Sequence, residues 1–389
     1  MAGRRKIAIL GASGSIGSNA IRVIRAHQDS LELVAIAGGS RLDPLIEIAR
    51  EFGVKEVGVF NPGTKTTREL EQAFPAGTRV HTGMEGLIHM ATLDEVDMVL
   101  IAVVGVTALQ PCVEAIRCGK KIALASKEIL VMAGEFVMRL IGEHDGMLLP
   151  TDSEHNAIFQ CLNGEQRSEI GKIILTASGG RYLDTPIEQL AAITPEDAVK
   201  HPNWDMGQKI SIDSSTMANK GLEVIEAKWL FGVSPEQIEV VIHPQSIVHS
   251  MMQFIDGSIL AQMAPPNMSF AIQNCLLYPQ RKVGIDPTID FSKAFSLNFQ
   301  APDYQRFPCL KLAFDALKIG GTAPAVYNAA NEVAVDAFVK KHISYLDIPR
   351  VIEFTLNEIN ILQPDSIEEV IGADEKARTI SHNRIRSQL

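Results

Sequence analysis

Nowhere in the 389 residues does an apolar run approach the roughly 18 residues a membrane-spanning helix needs, so no span is expected. Positive charge is in deficit, 36 Lys and Arg against 46 Asp and Glu, for a formal net charge of −10. That balance argues against a general nucleic-acid surface or an anionic-membrane surface, while leaving room for a local basic pocket around a small phosphate. Cysteine is scarce: Cys112, Cys118, Cys161, Cys275 and Cys309 are odd in number and show no C-x-x-C spacing. Buried free thiols are the plain expectation. Aromatic residues make up only 6%. The opening Met1-Ala2-Gly3-Arg4-Arg5-Lys6 has neither the apolar stretch of a signal peptide nor the longer Ser/Arg-rich lead of a transit peptide, which points to the cytoplasm.

What is present is an ordinary globular composition, 46% apolar and 21% charged, in a chain long enough for two or three domains. Residues 6–150 alternate short apolar strands with amphipathic helices. The strands read as Lys6–Leu10, Leu31–Ala37, Glu56–Phe60, Val96–Val103 and Lys121–Ser126, with a further apolar strand at Met147–Leu149. Such alternation predicts a doubly wound parallel sheet, Rossmann-like and covered on both faces. After Pro150 the texture changes to Ser/Gly-rich and acidic segments punctuating strands, which suggests an α+β domain over 151–305. Asp256-Gly257 between Ile247–Phe254 and Ser258–Met263 reads as a two-residue hairpin, and a hairpin of that length suits an interface. From 306 to 389 the pattern is almost wholly helical, a C-terminal bundle.

Gly11, Gly14 and Gly17 follow the first strand and open a helix. The spacing is G-x-x-G-x-x-G, but the context is that of a dinucleotide turn: room for a tight bend, close approach of a pyrophosphate, and free helix N–H groups. The second strand ends Ala37-Gly38-Gly39-Ser40-Arg41, without the acid that would hold a ribose 2′-hydroxyl. A hydroxyl and a guanidinium there favour NADP(H). A solvated role for Arg41 is the alternative.

Asp152-Ser153-Glu154 follows the strand at 147–149. Two carboxylates in extended chain would project to one side and suit a hard cation; equally, they fit the start of a helix. In Asp213–Glu223, a helix would put Ser215, Asn219 and Glu223 on one polar face with Lys220 nearby. A third carboxylate would complete a Mg²⁺ or Mn²⁺ set; a solvated helix is the rival reading. Ser178-Gly179-Gly180 offers backbone N–H groups to an anion. The loop His201–Gly207 carries an indole and a thioether between Pro and Gly, which reads either as a lid that excludes water or as a structural Trp. Lys127 follows a strand end, where a cation can stabilise a developing oxyanion.

Taken in order, Gly11–Gly17, Ser126-Lys127-Glu128, Asp152–His155, Thr176–Gly180, His201–Met206 and Asn219–Glu223 resemble the 1-deoxy-D-xylulose 5-phosphate reductoisomerases over nearly the whole chain. The resemblance implies an NADPH- and divalent-metal-dependent enzyme (Mg²⁺ or Mn²⁺, with Co²⁺ as a further candidate) that rearranges and reduces a small phosphorylated sugar in non-mevalonate isoprenoid synthesis. It implies Asp152, Glu154 and Glu223 as metal ligands. Lys127, Ser153, Glu154, Ser178, His201, Ser214, Asn219, Lys220 and Glu223 would face substrate, with Trp204 and Met206 in a lid over 201–209. Lys127, His201 and the three carboxylates would carry the catalysis. Ser13, Gly14, Ser15, Ile16, Gly38, Gly39, Ser40, Ser126, Glu128 and Gly207 would line the NADPH. The family often has Lys or Arg at the position of Gly39, whereas the nearest base here is Arg41. Its fold implies an NADPH domain at 1–150, a catalytic domain at 151–305, a helical domain at 306–389, and a homodimer.

Overall fold

The computed structural model describes residues 3–199, 204 and 207–387. The chain divides into two units that interleave in sequence: one takes Met1–Ile129, Val137–Phe159 and Asn267–Thr288, the other the remainder.

The first unit is built on seven strands: β1 (Arg5–Leu10), β2 (Leu31–Gly38), β3 (Glu56–Val59), β4 (Arg79–Thr82), β5 (Met98–Ile101), β6 (Lys121–Leu124) and β7 (Leu148–Pro150). All neighbours pair in parallel, in the order β4-β3-β2-β1-β5-β6-β7. The order reverses between β1 and β5, which marks the switch point of a doubly wound sheet. Ile7, Ile9, Leu33, Ile36, Val57, Met98 and Leu100 are fully or almost fully buried, as a sheet covered on both faces requires. The returning segment adds Ile272, Cys275 and Leu276 to the same core, and Arg5 donates to the carbonyls of Leu276 and Tyr278 at 2.6 and 2.8 Å. β4 escaped the sequence reading because only Val80 of its four residues is buried. It is an outer strand with a polar face.

The second unit holds a mixed sheet of β8 (Ile170–Ala177), β9 (Ile238–Ile242), β10 (Val248–Phe254) and β11 (Ile259–Met263), ordered β11-β10-β8-β9. Only β8 and β9 run parallel. The hairpin loop proves to be three residues long, not two: Phe254 N donates to Ser258 O at 2.9 Å around Ile255-Asp256-Gly257, with Gly257 at φ +86°. Asp256 accepts from both the N–H and the hydroxyl of Ser258, which selects this bulged turn. The helices Pro308–Ile319, Ala323–Val339, Asp347–Glu358 and Ile367–Ser387 close the chain. Tyr327, at the heart of the second of them, is fully buried and donates to Cys309 O.

Candidate active site

The glycine turn divides its labour as its geometry dictates. Gly11 has φ +93°, and a Cβ there would stand 2.3 Å from Ala102 O, just past the end of β5. A Cβ on Gly17 would stand 2.3 Å from Gly11 O, so helix Ser15–Ala26 meets the turn in direct backbone contact. Gly14 is less constrained: a Cβ there would come within 3.3 Å of Gly11 O only. It sits immediately before the helix with no side-chain cap, leaving the first N–H groups for an anion. Around this turn lies a cleft of about 290 Å³ at the carboxyl ends of β1, β2 and β5, the switch point itself. Ser13, Gly14, Gly38, Gly39 and Ser40, all expected at the cofactor, line it. Ser15 and Ile16 open the adjoining helix.

Arg41 also lines the cleft, and its guanidinium donates to Ser13 O at 2.6 Å, tying the two loops together. Phe60 and Ala102–Val104 line it too, and sequence reasoning did not single them out. The signal was available: the strand expected to reach Val103 stops at Ile101, and residues past a strand end at a switch point are ligand residues by rule. Ser126 is buried at the end of β6 and donates to Ile101 O and Val103 O, so its hydroxyl fixes the β5 end of the cleft.

Lys127 is buried and forms an ion pair with Asp152. The segment Asp152–Glu154 does not continue the strand in extended form. A helix runs Ser153–Cys161, so Asp152 immediately precedes it and Glu154 lies in its first turn, where the helix dipole favours a carboxylate. The extended same-side reading is thereby replaced by the helix-start one, without loss of either carboxylate. Ser153 donates to Glu154 Oε2 at 2.5 Å. Asn156, one turn on and buried, donates to Pro150 O at 3.0 Å and locks the strand-to-helix turn.

In the second unit, Ser178 follows β8, and Gly179 and Gly180 both have positive φ, +82° and +69°. Gly180 N–H reaches Ser178 Oγ at 3.2 Å. A Cβ at Gly180 would stand 2.7 Å from Ser214 O, so Ser178-Gly179-Gly180 packs tightly on the helix Gln208–Ser215. Asp213–Glu223 is not one helix: Met217 adopts φ +58° and breaks it before Ala218–Phe231. Ser215 therefore leaves the expected shared face. It is buried, bonded to Ile212 O, and accepts from Tyr345. Asn219, Lys220 and Glu223 do share the second helix. Glu223 is 1% exposed, takes Asn219 Nδ2 at 2.5 Å and pairs with Lys220, itself 4% exposed. A carboxylate so buried keeps its charge only with such partners. Trp204 stands 6.1 Å from His249, ring to ring, and Gly207 precedes the helix Gln208–Ser215. His201 and Met206 lie outside the described residues.

The thiols take no part. Burial pushes Cys112 up to about 12, Cys161 to about 11 and Cys309 to about 12, and raises Cys275 as well, so none is a thiolate at neutral pH. Cys118 alone is exposed. Alkylation of the folded protein is expected to label Cys118 alone and to leave activity intact; a second modified thiol by mass spectrometry would contradict this burial.

Family models described as 1-deoxy-D-xylulose 5-phosphate reductoisomerase, its C-terminal domain and the DXP reductoisomerase C-terminal domain match residues 7–134, 148–231 and 263–380. The 1-deoxy-D-xylulose 5-phosphate reductoisomerase of Clostridium perfringens strain 13 is 48% identical over 96% of this chain and 98% of its own. The chain belongs to the 1-deoxy-D-xylulose 5-phosphate reductoisomerase family. The reductoisomerase of Protochlamydia amoebophila is 47% identical, with 96% and 97% covered. Among solved structures, the Zymomonas mobilis reductoisomerase in complex with NADPH superposes with a TM-score of 0.92 at 40% identity, covering 99% of this chain and all of the other. A DOX-P reductoisomerase in complex with NADPH, fosmidomycin and magnesium gives the same TM-score and identity, with 98% of each chain covered. The reductoisomerase fold thus comprises the seven-stranded parallel sheet, the mixed four-stranded sheet and the C-terminal helices described above.

Proposed function

We propose that this chain converts 1-deoxy-D-xylulose 5-phosphate to 2-C-methyl-D-erythritol 4-phosphate with NADPH and Mg²⁺, a step of the non-mevalonate route to isoprenoid precursors. The observation that carries the reading is the 48% identity to a reductoisomerase across 96% of the chain. Asp152, Glu154 and Glu223 are the metal ligands in this reading. Their donors are oxygen only, which suits Mg²⁺ or Mn²⁺ and not a thiolate-loving ion. When bound, the ion supplies Lewis-acid polarisation and a template for the ketone and neighbouring hydroxyl oxygens of the substrate.

The chain's own residues do the rest. Lys127, held by Asp152, supplies a positive charge beside the rearranging carbon chain. Ser153, Ser178, His201, Ser214, Asn219 and Lys220 contact the substrate, the last few mostly at its phosphate. Trp204 and Met206, in the segment 201–209, cover the substrate and keep water from the hydride step. Ser13, Gly14, Ser15, Ile16, Gly38, Gly39, Ser40, Ser126, Glu128 and Gly207 form the NADPH site, with Gly14 giving the pyrophosphate its close backbone approach. Residues 1–150 serve the cofactor, 151–305 the chemistry, and 306–389 support it.

NADPH oxidation at 340 nm with deoxyxylulose phosphate, with and without Mg²⁺, tests the reading; folded protein with no metal-dependent turnover would overturn it. In this reading Arg41, which lines the cofactor cleft, pairs with the 2′-phosphate of the cofactor. Arg41→Ala is expected to weaken NADPH about tenfold, ~1.4 kcal/mol, and NADH hardly at all. Equal losses in fluorescence-quenching titrations would reduce Arg41 to a loop tie through Ser13.

The working form is a homodimer paired along β11. That strand is the edge of its sheet, and Ile259 and Leu260 on it are 50% and 45% exposed. An exposed apolar edge strand invites pairing with a second copy. Leu260→Lys should shift the mass by light scattering from dimer to monomer; an unchanged dimer would move the interface elsewhere. No described helix is long and apolar enough to cross a membrane.

A further inference from the structure

Three side chains of the first unit converge at the sheet edge opposite the strand that leads to Asp152. β4 is one outer strand and β7, which leads to Asp152, is the other. Six inter-strand spacings of ~4.8 Å put the two edges on the order of 29 Å apart. Glu56 begins β3 and is 2% exposed; His81 lies on β4; His89 lies on the helix Gly83–Thr92 that packs over them. The Glu56 carboxylate is divided between two tasks. Its Oε1 accepts from the Arg79 guanidinium, at 2.6 Å from Nε. Its Oε2 faces both imidazoles, 3.0 Å from His81 Nε2 and 4.0 Å from His89 Nε2. The rings lie 4.1 Å apart at 32°, and one donor atom from each of the three residues falls within 4.8 Å of the others.

We propose that Glu56, His81 and His89 bind a zinc-class dication, with the fourth position left to water. A tetrahedral ion with bonds of about 2.0–2.1 Å to nitrogen and oxygen sets neighbouring donors roughly 3.3 Å apart. The observed 3.0 and 4.0 Å lie on either side of that value. Closing the longer distance moves His89, whose side chain is 46% exposed. Two imidazoles and one carboxylate select zinc, nickel or copper over magnesium, which prefers oxygen alone. Arg79 holds the buried carboxylate in its rotamer and so orients the oxygen that faces the imidazoles. Binding requires His81 to carry its proton on Nδ1, so that Nε2 presents a lone pair. Its 31% exposed side chain can exchange that proton with water. An ion there would join β3, β4 and the covering helix, closing the outer edge of the sheet where a strand is otherwise easily frayed or captured.

The test uses the full chain saturated with NADPH and excess Mg²⁺, titrated with Zn²⁺ against a chromophoric chelator at pH 7.5. One additional Zn²⁺ per chain is expected. His81→Ala and His89→Ala should each weaken it at least tenfold, as loss of one of three protein ligands demands, and Cys118→Ala should not affect it. Both histidines lie at the opposite edge of their sheet from the strand that leads to Asp152, so Mg²⁺-dependent turnover of the variants serves as the check on folding. With Cu²⁺ as probe, electron paramagnetic resonance should show two nitrogen couplings in the parent and one in either variant. Zn²⁺ stoichiometry and affinity unchanged in the doubly substituted chain, or no Zn²⁺ bound beyond what Mg²⁺ displaces, would overturn the proposal.

Discussion

Glu223→Gln is expected to lower kcat by roughly a thousandfold, about 4 kcal/mol at ~1.4 kcal/mol per decade, while the NADPH dissociation constant stays nearly constant. The amide keeps the shape of the side chain but removes a full charge from a position 1% exposed. Two effects then act together. The metal loses an anionic oxygen donor, and Lewis-acid help of several kcal/mol goes with it. Lys220, 4% exposed and paired with Glu223, loses the negative charge of that pair, and breaking a buried pair from one side costs a fold several kcal/mol. The cofactor cleft belongs to the first unit and Glu223 to the second, which makes NADPH binding the discriminating readout. If the lost activity reflects the metal, higher Mg²⁺ should recover part of it and NADPH should bind as before. Parallel loss of NADPH affinity and activity would reassign Glu223 to folding. Asp152→Asn should likewise lower kcat, since it removes one charge of the Lys127–Asp152 pair and one anionic donor to the metal.

The parts of this molecule that the sequence disclosed are those governed by local rules. β1, β2 and β6 fall within a residue or two of the expected apolar runs because a strand buried on both faces must be apolar throughout. The glycine turn was legible because φ +93° at Gly11 and backbone contact at Gly17 admit nothing else. The misses share a different cause. β4 has a polar face and one buried residue, so apolar run length could not find it. The helix break at Met217 needs φ +58° at a residue whose side chain gives no turn signal, and it turned Ser215 inward toward Tyr345. At Asp152–Glu154 the sequence offered an extended chain and a helix start equally, and the helix from Ser153 decides for the second. The return of Asn267–Thr288 to the first unit rests on long-range packing of Ile272, Cys275 and Leu276, which no window of sequence reports. For the site, residue types and order were legible, while which hydroxyl bonds to backbone, as Ser126 does, required coordinates.

Gly11→Ala is expected to raise the NADPH dissociation constant about a hundredfold, ~2.8 kcal/mol, and to lower the melting temperature. The methyl group meets two objections at once. At φ +93° an L-residue is strained by about 1–3 kcal/mol, and the Cβ would stand 2.3 Å from Ala102 O. No rotamer relieves a contact with main chain. Ala102 cannot retreat, because its N–H is bonded to Leu10 O at 2.8 Å in the β1–β5 ladder. The turn is held on its other side as well, by Gly11 N–H on Ala37 O at 2.9 Å. Relief must therefore break one of these bonds and tilt the turn, carrying Gly14 and the start of the helix away from the pyrophosphate position. Gly39→Ala is the matched control: a Cβ there has no protein atom within 4 Å. It should leave the melting temperature unchanged, so any loss of affinity it shows would come from the cofactor side alone. Calorimetry and NADPH titration of the pair separate the two cases, and a Gly11→Ala chain that binds NADPH like the parent would show that the turn is not the pyrophosphate seat.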